Sequence, residues 1–578
     1  MQDYETTYSW ECVPHDAAVA AALAASLEIP LPLAKVLVGR GYGEPAHAEA
    51  FLNPALSQLS DPFSLPGVTP GVERTLRAIE KGEKIVIYGD YDCDGITATV
   101  LLLQVLGELG GVVEHFIPKR AEDGFGFQLG ALDRVLEEHQ PQLIITADCG
   151  MRSEAAVAEA SRVGVDVVIV DHHRPYGAPR PEACAIIHSV LDDVLPSMQS
   201  LSAVGLAFTF CRALRQAALG ANFAQAEDLD IWQHLDLVTI GTVTDLMFLQ
   251  GDNRVLVHFG LALLNDVRKR RPGIVALMRI AGLRTEIGSY EVGFLLGPRL
   301  SAAGRVGDAE VAIDLLMVED PMEARRLAGR LDACYRERRR IEDVVLQAAT
   351  DAVSGGVNQG ASALIAVGKD WHIGTIGIVA ARISGRYNRP AVIISYNDKG
   401  WARGSCRSIA GVDLEAVLTQ CSSHLLSYGG YGNVAGFSIK KSEIPAFCKA
   451  FEKVCRACLG DEVGLETYEV DAWIDLSEVD DRLLDSIKIL QPLGLGNQTP
   501  TWAARNVRIQ GPPTIVGGNH LKCTLVSGGV QRDAIGYGLG NRKLPAEPLD
   551  VLFQLQRNHY RGRSVLQLSI KDFRSSVA

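Results

Sequence analysis

From Lys84 onward the apolar residues fall in short continuous runs, KIVIYGD, VVEHFIP, LIITADCG and VDVVIVDHH, separated by stretches of helical spacing. Runs apolar on consecutive positions indicate strands buried on both faces, and the intervening stretches, about Thr97 to Leu109, Leu129 to Glu138 and Glu154 to Val163, supply crossover helices. The pattern predicts an α/β domain built on a parallel sheet. Upstream, about Pro14 to Leu59 reads as Ala-rich helix, with Asn53-Pro54 offering an N-cap. Downstream, Pro321 to Val353 holds no internal Pro and only Gly329, so it reads as one long helix. Its apolar Leu327, Leu331, Tyr335 and Ile341 sit beside Arg336, Arg338, Arg339 and Arg340, as a connector with a solvated face requires; a DNA-facing surface is the alternative. A second α/β unit begins at ALIAVG, continues through a helix Ile376 to Tyr387 and the strand AVIIS, and reaches about Gly460. Beyond it VRIQG, TIVGG, HLKCTLVSGG, VLFQLQ and SVLQLSI, broken by Gly and Pro, predict a small β-barrel. The expected division is a helical segment (1–80), an α/β domain (81–319), a connector helix (320–353), a second α/β domain (354–460) and a barrel (461–578).

A chain of 578 residues, 47% hydrophobic and 22% charged, is globular and large enough for several cores. No apolar run approaches the ~20 residues of a membrane span, and Met1 to Trp10 lacks the basic and apolar regions of a secretory leader, which points to the cytoplasm. Twelve scattered Cys fit free thiols in a reducing compartment. Cys455-Arg-Ala-Cys458 has no second pair or His cluster at zinc spacing. The formal net charge of -13 would discourage nucleic acid, but charge is segregated: from Asp481 to Ala578 thirteen Lys and Arg face six Asp and Glu, a regional +7. Within that tail Arg557, Arg561 and Arg563 interleave with His559 and Tyr560, and Lys522 lies in a strand-like run. This mixture suits a groove that follows a phosphate backbone and stacks bases.

The residues with the most chemistry cluster where apolar strands end. YGDYDCDG places Asp90, Asp92 and Asp94 at spacing two before Gly95; TADCG contributes Asp148, VDHH contributes Asp171, His172 and His173, and DLVTIGTVTDLM presents Asp245. A single Asp after a strand is most often a turn former or helix cap. Four such segments together give hard oxygen donors and imidazoles at the ligand-binding edge of an open α/β sheet, the make-up of a dinuclear Mg²⁺ or Mn²⁺ site. Such sites cleave phosphodiesters by activating water and stabilising the leaving oxygen. The sequence contains no GxxxxGK[ST], so P-loop ATP hydrolysis is unsupported.

In this order YGDYDCDG, TADCG, VDHH and GTVTDLM resemble the four phosphoesterase motifs of the DHH family. The likeness extends through PKRAEDGFGF, GPRLSAAGR, RERRRIE, WHIGTIGIVAARI, RGSCRS, PLGLGNQTP and NHYRGRSVLQLSIKD, and is similar to the family's single-stranded-DNA exonucleases from about Gly82 to Asp572. It implies a DHH domain and a DHHA1 domain joined by a long helix, with a C-terminal OB-fold. It implies two divalent ions, Mn²⁺ or Mg²⁺, held by Asp90, Asp92, Asp148, His172 and Asp245, with Asp148 between them and His173 in support. The implied reaction removes 5′-mononucleotides from a 5′ end in recombination and repair. Arg299, Arg305, Arg403 and Arg407 are the expected phosphate ligands, with interdomain salt bridges as their alternative. Gly430, Tyr431, Lys522, Arg557, Tyr560 and Arg561 complete the expected nucleic-acid contacts. Helicase and single-strand-binding protein are the partners the likeness implies, and a groove between two α/β domains suggests a monomer.

The chain departs from the family pattern twice. Tyr88 stands where some members have His, which would cost one ion an imidazole. Tyr431, in GGYGNVAGF, replaces the His of GGHxxAAG, and its phenol can donate a hydrogen bond but not carry a cation near neutral pH. The competing functions are a small-substrate phosphoesterase of the same superfamily and a catalytically silent strand-binding scaffold.

Overall fold

The computed structural model describes residues 8–119, 126–175, 179–284, 286–358, 360–431, 433–460, 467–560 and 563–576, and divides into two compact units. Among these residues no helix is long and apolar enough to cross a membrane.

The larger unit spans Leu59–Gly464. Its first sheet is wholly parallel, in the order Val112–Phe116, Lys84–Gly89, Leu143–Ala147, Asp166–Asp171, Ala185–His188. Ile85 to Gly89 and Leu143 to Ala147 are all buried, so the continuous apolar runs reflect helices on both faces. The first strand in sequence lies inside the sheet, between the second and third. The winding therefore reverses between Lys84–Gly89 and Leu143–Ala147, and the crevice beyond their carboxyl ends is the ligand position of open α/β sheets. The helix after the first strand starts at Cys93, earlier than the apolar spacing indicates, because Asp92 accepts hydrogen bonds from the Asp94 and Gly95 N–H groups and caps it.

A single helix, Pro321–Asn358, runs 38 residues, roughly 57 Å at 1.5 Å per residue. It leads into a mixed five-stranded sheet ordered Leu425–Tyr431, Val434–Lys440, Trp401–Arg407, Ala391–Tyr396, Leu364–Lys369, parallel only in its last pair. Along Trp401–Arg407 the alternation is strict: Ala402, Gly404 and Cys406 face the core, while Arg403, Ser405 and Arg407 face the other way.

The smaller unit joins Met1–Gln58 to Leu465–Ala578. Its sheet runs Ala472–Trp473, Trp502–Ile509, Leu549–Tyr560, Arg563–Ser575, Val530–Gly536, His520–Ser527, Thr514–Val516, and a further pairing of Trp502–Ile509 with His520–Ser527 closes five strands into a barrel. Closure removes exposed edges. Helices Ala17–Leu27, Leu31–Gly39 and Pro45–Leu52 pack on this barrel: Leu23, Leu33, Leu37 and Phe51 share one core with Trp502, Leu521, Phe553 and Leu568. Strand Ser9–Cys12 pairs in parallel with Thr467–Val470. Asn53 does not open a helix, as the Asn-Pro pair suggests. Its N–H donates to the Glu49 carbonyl and closes Pro45–Leu52, and Pro54 then blocks continuation.

Candidate metal centre

Four loops meet at the reversal point of the parallel sheet. Asp90 and Asp92 follow Lys84–Gly89, Asp148 follows Leu143–Ala147, and His172 and His173 follow Asp166–Asp171. Asp245 arrives differently from the strand-end arrangement its motif suggests: it is the residue closing helix Leu235–Thr244. Two close approaches bring these loops together. A Cβ at Gly95 would lie 2.5 Å from the Asp90 carbonyl oxygen, and one at Gly241 would lie 2.8 Å from Asp94 Oδ1, so both positions need glycine. Asp148 holds φ of 67°, a left-handed conformation that a non-glycine residue adopts only where its surroundings impose it.

Three donor groups have ligand atoms within 4.8 Å of one another: Asp90, Asp92 and Asp148; Asp148, His172 and His173; and Asp94, His172 and Asp245. Asp148 belongs to the first two and His172 to the last two. His172 Nε2 lies 3.2 Å from Asp148 Oδ1, 3.5 Å from Asp245 Oδ2 and 3.9 Å from Asp94 Oδ2. Asp90, Asp94 and Asp148 are buried and Asp245 is partly exposed.

Burial, together with Asp92, Asp94, Asp90 and Asp245, holds the Asp148 carboxyl well above the carboxylate range. Burial and the neighbouring Asp94 and Asp92 do the same to Asp245. Asp94 is pushed up to about 7, chiefly by burial. Burial brings His172 down to about 3, leaving a neutral imidazole with a lone pair to donate. His173 is driven the other way: burial opposes its charge, but Asp171 Oδ1 at 2.8 Å from Nδ1 overcomes burial and raises it to about 9. A cluster of carboxylates that resist ionising together, beside a neutral imidazole, is the donor set that hard divalent cations complete. Asp148 Oδ1 is buried and accepts no hydrogen bond among the described residues, which fits an oxygen reserved for a cation.

Several residues brace these loops, and two of them, His188 and Arg152, carry no signal that the sequence shows. Asp94 uses both carboxylate oxygens to accept from the Ala203 and Val204 N–H groups, at 2.7 and 3.0 Å, and so anchors the start of helix Ala203–Gly220. Asp171 accepts from the Met151 N–H at 2.9 Å. Buried His188 accepts from the Val190 N–H on Nδ1, so Nε2 carries the proton and donates to the His173 carbonyl at 2.9 Å. Arg152 donates to the Arg174 carbonyl and reaches the Gly430 carbonyl at 3.4 Å, linking the first α/β domain to the second.

The other expected residues are distributed as follows. The Tyr88 side chain does not join the donor groups: it is fully buried against Phe116 and Phe127, and its hydroxyl donates to the Gly126 carbonyl. Arg299 bonds Asp332 at 3.2 Å and lies over the Tyr335 ring. Arg305 reaches the Gly374 carbonyl at 3.4 Å. Arg403 lies over Trp401, and Arg407 bonds Ser405 Oγ. In the smaller unit Lys522 is exposed and Arg557 bridges Asp481 and Asp485. The side chains of Tyr431, His559, Tyr560 and Arg563, and Arg561 as a whole, lie outside the described residues.

Residues 84–242 match the model of the DHH family, N-terminal domain; residues 360–457 match the DHHA1 domain and residues 470–572 the RecJ OB domain. The single-stranded-DNA-specific exonuclease RecJ of Bacillus subtilis (strain 168) is 32% identical over 571 residues, covering 97% of this chain and 70% of that protein. The protein of the same name from Dickeya dadantii (strain 3937) is 32% identical, covering 94% and 96%. The crystal structure of RecJ from Thermus thermophilus in complex with Mn²⁺ superposes with a TM-score of 0.83 at 27% identity, covering 99% of this chain and 80% of that one. The Mg²⁺ complex from the same source gives 0.77 at 26% identity, covering 99% and 79%. With its identity to the RecJ exonucleases sustained along almost the whole chain and each of its three domain types matched in order, this chain belongs to the RecJ family.

Proposed function

We propose that this protein is a metal-dependent single-stranded-DNA exonuclease that releases 5′-mononucleotides from a 5′ end. The observation that carries the reading is the crowding of Asp90, Asp92, Asp148, His172 and Asp245 at the sheet's reversal point, in a chain whose relatives are RecJ exonucleases and whose structural neighbours hold Mn²⁺ or Mg²⁺. Those five residues are the proposed ligands of two divalent cations, with Asp148 shared. When bound, such ions activate water and offset charge on the attacking and leaving oxygens of a phosphodiester.

The remaining steps belong to side chains. Asp94, tied to the Ala203 and Val204 N–H groups, fixes the helix against which the ligands stand. His173, hydrogen-bonded to Asp171 at 2.8 Å, is the proposed support for the site on the side of the scissile phosphate. Arg403 and Arg407, partly exposed on the strand face opposite Ala402, Gly404 and Cys406, are the proposed grip on neighbouring phosphates. Arg299, already paired with Asp332, acts in this reading by bracing the long helix. The barrel, with exposed Lys522, is the proposed guide for the rest of the strand. The twelve free cysteines suit the cytoplasm, and a monomer working beside a helicase and a single-strand-binding protein is the proposed setting.

The test uses 5′-labelled and, separately, 3′-labelled single-stranded DNA with Mn²⁺, alongside chelator and Asp148→Asn controls. Immediate release of labelled mononucleotide from the 5′-labelled strand alone supports polarity and reaction together. Binding without cleavage in Mn²⁺ or Mg²⁺ would replace the reading with that of a scaffold.

A further inference from the structure

Beside the metal centre the surface carries an aromatic pair that the reaction as described does not use. Tyr290 and Phe294 are 65% and 57% exposed, with ring centroids 5.0 Å apart and planes 30° from one another. Phe294 sits in a five-residue π-helix, Val292–Leu296, a local irregularity concentrated at functional sites. That turn packs on the end of the helix that delivers Asp245: a Cβ at Gly293 would lie 3.4 Å from Val243 Cγ1, and one at Gly297 only 2.1 Å from Thr244 Oγ1. The segment immediately after Asp245 exposes two more apolar side chains, Leu246 at 62% and Phe248 at 47%.

At its other end the aromatic segment is anchored by a reciprocal pair of hydrogen bonds, Asn265 Nδ2 to the Ile287 carbonyl at 2.8 Å and the Ile287 N–H to Asn265 Oδ1 at 2.9 Å. Asn265 lines a cavity of about 850 Å³ whose walls include Arg270, Arg279 and Arg284 over apolar Val275, Met278 and Leu283. Glu286 is the sole acid among the lining residues, so the cavity is cationic.

We propose that Tyr290 and Phe294, together with the arginine-lined cavity, form a docking track for single-stranded DNA leading to the metal centre. Adjacent exposed rings receive bases without regard to sequence, and guanidinium groups receive the phosphates between them. Continuity with Asp245 at one end and cationic character at the other select a polynucleotide over an uncharged partner. The inference rests on the exonuclease reading and adds a binding surface to it.

The full-length protein, kept in chelator, is titrated against fluorescein-labelled (dT) oligonucleotide and against an abasic phosphodiester strand of equal length. The paired variant Tyr290→Ala with Phe294→Ala is expected to weaken oligo-dT binding at least about tenfold and abasic binding less than about twofold. Tyr290→Phe, which keeps both rings, retains wild-type affinity for both. Arg279→Gln with Arg284→Gln, which removes two phosphate-facing charges, is expected to lower the slope of log Kd against log salt by about 1.4. Unchanged oligo-dT binding in the aromatic variant, or equal loss on both strands, overturns the track. A change of oligomeric state without loss of DNA affinity also overturns it and assigns the patch to a second copy of the chain. Wild-type cleavage in Mn²⁺ is measured in parallel: binding without cleavage removes the exonuclease reading while the stacking result stands by itself.

Discussion

His172 Nε2 lies 3.2 Å from Asp148 Oδ1, joining the loop after one strand to the loop after its neighbour. Asp148 is also a carboxyl that resists ionising, buried in a left-handed backbone among other acids. Asp148→Asn keeps a residue that tolerates this conformation and removes the ionisable carboxyl. In chelator the variant is expected to be more stable than wild type, by about 1 kcal/mol, because crowding is relieved. In Mn²⁺ the order reverses, and cleavage drops by at least about a thousandfold. Thermal melts with and without Mn²⁺, beside a cleavage assay, check all three; equal Mn²⁺ stabilisation of both proteins would remove Asp148 from the ligand set.

A second prediction concerns pH away from the metal centre. His115 Nε2 and Glu310 Oε2 lie 2.7 Å apart, and this hydrogen bond raises the His115 pKa against the opposing effect of burial. A raised imidazole pKa contributes stability that is fully present below the ordinary His value and is lost as pH rises through the folded value. Glu310→Gln should therefore lower the melting temperature most near about pH 6 and converge with wild type at alkaline pH. Both partners are partly exposed, so the difference stays below about 1 kcal/mol. A gap that widens with rising pH contradicts the assignment.

Trp10 donates its indole N–H to Asp572 Oδ2 at 2.6 Å, and Arg574 lies over its ring at 4.3 Å. Asp572 is buried and paired also with Arg542. Trp10→Phe keeps an aromatic face for Arg574 but withdraws a donor from a buried carboxylate. A loss of about 1 to 3 kcal/mol is expected in the unfolding transition of the smaller unit. Denaturant melts followed by aromatic fluorescence measure it, and an unchanged midpoint excludes the bond as a stabilising contact.

Truncation separates the two units. Deleting residues 490–578 removes Trp502, Phe553 and Leu568 from the core that also contains Leu33, Leu37 and Phe51. Residues 1–58 should then become sensitive to limited proteolysis, while residues 59–464, with their own cores, resist it. Protection of the N-terminal helices in the truncated protein would show that the barrel is not what orders them.

The parallel sheet was legible because strands covered on both faces write themselves as unbroken apolar runs. The motif acids were legible because charge at the end of such a run is conspicuous. The element delivering Asp245 was not: every residue from Leu235 to Val243 is buried, so the segment shows no helical periodicity, and its Val, Ile and Thr content imitates a strand. The partners of Arg299 were not legible, because sequence displays the guanidinium but not Asp332 and Tyr335, which meet it from another helix. Tyr88 belongs to an aromatic cluster whose other members come from distant segments, and no local pattern announces that. The same applies to the pairing of Ser9–Cys12 with Thr467–Val470.

That pairing sets an order of events during synthesis. Helices Ala17–Leu27, Leu31–Gly39 and Pro45–Leu52 emerge from the ribosome with Leu23, Leu33, Leu37 and Phe51 ready to be buried, but the surfaces that bury them are encoded from Ala472 onward. The entire Leu59–Gly464 unit is translated in between. At ordinary elongation rates of about 5 to 20 residues per second, these helices wait on the order of a minute for their barrel, and for that time their apolar faces stay exposed to aggregation.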